Sequence, residues 1–204
     1  MKYSRFVEEL SNENEVLRGV FDKIKARFIK TDKGIVESLT KIAFILYIKK
    51  DFKNAMSIVD KLSGIEFNND YDYWTWIEYA IALRAEISII NNDDEKNKDS
   101  IKKIIDALNS GEGLPKKIKI NVHNRFMAGE SVELDNSNFS SKNTNFYDNF
   151  SHRLIYQMAL VKLKVLGASK EYPIGKVTSN IESNSQEMQK MIDEGVLLGI
   201  QPFK

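Results

Sequence analysis

Apolar residues recur at helical intervals along most of this chain, and the interval is best kept from Val36 to Leu62. Leu39, Ile42, Ala43 and Leu46 fall at i, i+3, i+4 and i+7, one stripe of an α-helix, and Ala55, Val59 and Leu62 make a second stripe after a break at Lys50-Asp51-Phe52. The spacing predicts two antiparallel helices. The first is apolar nearly all round, because Phe44, Ile45 and Ile48 lie off its main stripe, so it is expected to be sandwiched between neighbours. A similar arrangement follows. Tyr79, Ala80 and Leu83 repeat the spacing of Ile42, Ala43 and Leu46, and Ile101, Ile105 and Leu108 repeat that of the second helix. In this alignment isoleucine replaces the small residue, and the connection Asn91–Lys98 is expected to be longer than the first turn.

Upstream, Tyr3, Phe6 and Leu10 share one side of a short helix, and Asn14 suits the cap of the next, which carries Val16, Leu17, Val20, Phe21, Ile24 and Phe28. Gly34 is read as part of the break before the central hairpin. Asp70 or Asp72 is placed to cap the long helix through Ile90. On that helix Glu78, Ala82 and Glu86 stand four apart, and they read as its one solvated edge. Arg84 is expected to pair with a carboxylate from another helix. Downstream, Phe150–Leu166 forms a helix with Leu154, Ile155, Met158, Ala159 and Leu166 inward. Ser183-Asn184-Ser185-Gln186 has capping-box form and opens a last helix.

The reading divides at residues 116–134. Ile118, Ile120 and Val122 alternate as in a strand, with Val132 and Leu134 as partner, which would make a small β-hairpin at 117–134. Ile118, Val122 and Phe126 also fit a helix begun at Pro115 and stopped at Gly129, and the helical surroundings favour that alternative. Residues 135–149 are a long polar loop punctuated by Phe139, Phe146 and Tyr147, a length that marks either function or flexibility.

The alternation of large and small apolar positions over 36–62, and more weakly over 74–108, resembles the tetratricopeptide repeat. Ala43 and Ala55 stand at its two small positions and Asp51-Phe52 at its turn, with Lys50 where the family often has glycine. The resemblance implies an all-α fold of stacked antiparallel helical hairpins, a solenoid or bundle, in which the first helix of each repeat lines a groove for peptides or another protein's helix. By that alignment the groove takes Glu37, Thr40, Phe44, Tyr47 and Ile48 from one repeat. The next supplies Trp74, Ile77, Ile81, Arg84 and Ala85. The set is mostly apolar, so the groove is expected either to accept an apolar segment or, as favoured here, to be filled by the chain's own C-terminal helices.

Composition narrows function without naming it. The 204 residues suit one domain spanning 1–204. Thirty Lys and Arg against 29 Asp and Glu leave no basic excess, which argues against nucleic acid as partner. There is no cysteine, so thiolate zinc sites and cysteine nucleophiles are out. No apolar run approaches the ~20 residues of a membrane span, and acidic residues stand where a secretory signal would be apolar, so no membrane partner and a cytoplasmic location are expected. The richness in Lys, Asn and Ile points to a bacterial, AT-rich genome. His123 and His152 have no metal-ligand companions at suitable spacing. No phosphate loop, nucleophile elbow or HExxH is present. The expectation is a non-enzymatic protein with no catalytic residue, metal or cofactor, acting as a protein–protein interaction module. The alternative is a bacterial immunity protein that neutralises a toxin. Binding candidates are the exposed-type aromatics and the lone arginine of the two hairpins, Phe44, Tyr47, Trp74, Trp76 and Arg84, together with Phe139, Phe146 and Tyr147 of the long loop.

Overall fold

The fold is built outward from α3, Asp32–Ile48. Its start is set by Thr31, whose Oγ1 accepts the backbone N–H of Gly34 at 3.1 Å, so Gly34 lies inside the first turn rather than in the preceding break. Asp32 adds an acidic group at the positive end of the helix, and its Oδ1 accepts the N–H of Tyr3, tying the N-terminal segment to it. Phe44, Ile45 and Ile48 are buried along with Leu39, Ile42 and Ala43, so α3 is enclosed on every side as its sequence predicts.

The computed structural model describes residues 3–24, 31–66 and 71–110, with Leu154, Gln157, Met158, Val161, Lys162, Lys164, Val165, Gln186 and Gln189, all nine helical. Six helices run in order: α1 Ser4–Glu13, α2 Glu15–Ile24, α3, α4 Phe52–Ser63, α5 Tyr71–Ile90 and α6 Asp94–Ser110. The protein is all-α, a bundle of helical hairpins, and no strand occurs among the described residues. The alternatives at 117–134, the loop 135–149 and the caps Asp70 and Ser183 lie outside those residues. Asp72 falls within α5 rather than before it.

The two central hairpins turn in the same way. After α3 the N–H of Lys50 bonds to Tyr47 O and that of Asp51 to Leu46 O; after α5 the N–H of Asn92 bonds to Ile89 O and that of Asp93 to Ser88 O. Both are Schellman closures. Each carries a left-handed residue, Lys50 with φ 62° and Asn92 with φ 55°. In each, the next residue is an aspartate that caps the return helix, Asp51 accepting from Asn54 N and Asp93 from Lys96 N. The second connection is therefore as short as the first. The shared turn also resets the internal alignment: it sets Ala43 opposite Ala85 and Ala55 opposite Asn97, not Ala80 and Ile101 as the apolar spacing suggested. Asn97 at the small position is accommodated because its Nδ2 donates to Ala85 O at 3.1 Å.

Helices α3 and α5 lie side by side, and two contacts show their direction. Thr40 Oγ1 donates to Trp76 O, and seven residues on, the Tyr47 hydroxyl reaches Glu86. They are therefore parallel, with α4 packed against both and α6 returning along α5. The first hairpin attaches at α4: Lys61 pairs with Glu9 at 2.7 Å, and the amide of Asn14 donates to Asn54 at 2.6 Å. Asn14 also caps α2 through Val16 and Leu17, as its position predicted. α5 is buried along most of its length. Ile77, Ala80, Ile81, Leu83, Ala85 and Ile87 are all fully enclosed, and they share one core with α3, α4 and the described residues Leu154, Met158, Val161 and Val165. Full enclosure of a single Ile or Leu contributes about 1.5–3 kcal/mol. This core therefore supplies the main stabilisation.

Candidate functional site

Glu78 and Glu86 stand two turns apart on α5, at the spacing that suggested a solvated edge. The structure overturns that expectation: Glu78 is 2% and Glu86 4% exposed. A carboxylate withdrawn from water needs a compensating charge. Both find one on described helical residues further along the chain. Lys162 Nζ meets Glu78 Oε2 at 2.8 Å with both side chains 3% exposed, and Lys164 pairs with Glu86 from a half-exposed position. The C-terminal segment therefore lies along the side of α5 that carries Glu78, Tyr79 and Glu86, which is not the side of Trp74 and Arg84 expected to line the groove. It is held by four apolar side chains, Leu154, Met158, Val161 and Val165, and by two ionic contacts.

Aromatic rings frame this seam. The Tyr47 hydroxyl donates to Glu86 Oε1 at 3.3 Å while its ring lies 5.8 Å from that of Phe52. Lys162 sits 5.6 Å from the Tyr79 ring centroid, and Lys41, paired with Glu37 at 2.6 Å, sits 5.2 Å from that of Trp76. Trp76 meets Tyr79 edge-on at 6.2 Å. Burial pushes the Tyr47 phenol above its usual range, and the Glu86 charge beside it adds to the effect. Tyr79 is pushed up to about 12, first by burial and then by the Glu78 charge. Burial also lowers Lys162, opposed by the charge and hydrogen bond of Glu78. Even so, two carboxylate oxygens, Glu78 Oε1 and Glu86 Oε2, have no hydrogen-bond partner among the described residues.

The opposite side of α5 holds a second polar cluster. Arg84 Nε bonds to Asp60 Oδ1 at 2.7 Å, and its Nη1 reaches Asp99 at 2.6 Å and the Ser100 hydroxyl at 2.7 Å. Lys96 joins Asp60, and Lys103 joins Asp99. Burial tends to raise Asp99, but the hydrogen bond from Arg84, helped by Lys103, outweighs it and lowers its pKa. Arg84 thus pairs with carboxylates of α4 and α6, as expected, and is committed to holding the helices together. Next to this cluster lies an open cleft of about 450 Å³ lined by Ser63, Ile65, Trp74, Lys103 and Asp106. Its one cation, Lys103, is engaged by Asp99 and by the Ser63 carbonyl. Among the described residues no group of acidic or histidine side chains is arranged to hold a metal ion, and no helix is long and apolar enough to cross a membrane.

The binding candidates divide accordingly. Phe44 is fully buried and Trp74 3% exposed, so both are core residues. Trp76 points to the other side of α5 from Trp74, towards Lys41, and belongs with Tyr47 to the seam. Phe139, Phe146 and Tyr147 lie outside the described residues. Sequence reasoning missed the two residues that define the site, Glu78 and Glu86, together with their partners Lys162 and Lys164. The available signal was the pair of acidic residues set among the apolar positions of α5.

The architecture is thus that of a helical-hairpin protein with parallel α3 and α5, in which the Glu78/Glu86 side of α5 is paired with Lys162 and Lys164 from further along the chain. The chain belongs to a family of unknown function, DUF6707, whose model it matches over residues 4–190. No curated protein and no solved structure matches it.

Proposed function

We propose that this protein is a non-catalytic, cytoplasmic helical-hairpin scaffold, of the repeat type suggested by its 36–62 spacing, and that its role is to bind another protein. The carrying observation is the Glu78/Glu86 side of α5. It receives helical residues from further along the chain by apolar packing and positions them with ion pairs, the arrangement by which proteins recognise helices in grooves. The polar side chains of the two hairpins support the same reading, since Arg84 and Lys96 reach Asp60 of α4, Lys103 reaches the Ser63 carbonyl, and Glu37 pairs with Lys41 within α3.

Affinity capture with the full chain from its native host, followed by reciprocal capture from the recovered partner, tests this. A stoichiometric partner recovered in both directions is the expected result; a toxin encoded beside the gene would refine the role to immunity. Reciprocal capture that returns nothing, together with turnover of a small-molecule substrate, refutes it.

A further inference from the structure

We draw no further inference here: the strongest candidate, the open cleft between the ends of α4, α5 and α6 lined by Ser63, Ile65, Trp74, Lys103 and Asp106, carries nothing because its one cation is already engaged by Asp99 and the Ser63 carbonyl and nothing in the structure shows what occupies it.

Discussion

The pair Glu78–Lys162 offers the sharpest test of how the C-terminal segment is held. Both side chains are 3% exposed and 2.8 Å apart, so neither charge can be rescued by water if its partner is removed. Breaking such a pair on one side costs about 3–5 kcal/mol, because the remaining charge must be neutralised or hydrated at the expense of packing. Lys162→Met keeps the length and apolar stem but strands Glu78; Glu78→Leu strands Lys162. Each single change is expected to lower unfolding free energy by about 3 kcal/mol or more, a large share of the 5–15 kcal/mol typical of a domain. The double variant Glu78→Leu with Lys162→Met removes both charges and is expected to lie within about 1 kcal/mol of wild type or above it. The assay is a double-mutant cycle by urea denaturation, followed by far-UV circular dichroism and tryptophan fluorescence, with Trp76 as a reporter near the seam. Single variants that each cost under about 1 kcal/mol, or a double variant that costs the sum of the two, would refute the claim that these charges compensate each other in a dry site.

Three further outcomes follow from the same geometry. Tyr79 has its pKa raised from 10.0 to about 12, so it contributes stability that is fully present below pH 10 and lost as pH rises through 12. At about 1.4 kcal/mol per unit the loss is up to about 3 kcal/mol. Lys162, lowered by burial, acts in the opposite sense below the ordinary lysine value of 10.5, so the fall is expected above that point, and Tyr79→Phe is expected to flatten urea midpoints measured from pH 9 to 12. An unchanged slope in that variant would remove the argument. Lys50→Gly relieves an exposed left-handed residue with φ 62° and is expected to raise stability by about 0.5–1 kcal/mol in thermal denaturation, with Asn92→Gly gaining less because asparagine tolerates that region. Arg84→Lys cannot serve Asp60, Asp99 and Ser100 at once and is expected to cost about 1–3 kcal/mol in urea unfolding; an unchanged midpoint would show the cluster to be energetically idle.

The hairpins were legible because their information is local. Helical spacing over 36–62, the Asp51 turn and the Asn14 cap are each decided by residues within one or two turns of each other. The structure reproduces all three. The internal alignment was less legible. Apolar spacing repeats every three or four residues and so matches itself at several offsets, whereas the Schellman turn allows only one. That turn is set by backbone dihedrals, and Lys50 and Asn92 share no side-chain type that would have exposed the equivalence. The Asp that follows each of them was the readable clue, since it both completes the turn and caps the return helix.

The site was illegible for a different physical reason. Glu78 and Glu86, spaced two turns apart on a helix, look the same whether they face water or an ion-paired seam, because the spacing records only that they share a side. Their burial depends on Lys162 and Lys164, which stand more than seventy residues away in sequence and whose own segment reads as an ordinary amphipathic helix. One inference was nevertheless available. A helix enclosed by Ile77, Ala80, Ile81, Leu83 and Ala85 has no apolar-free side left for water, so charged residues within it must meet charge on another element. Pushed through, that argument predicts a cationic strand of contacts arriving from elsewhere in the chain or from a partner.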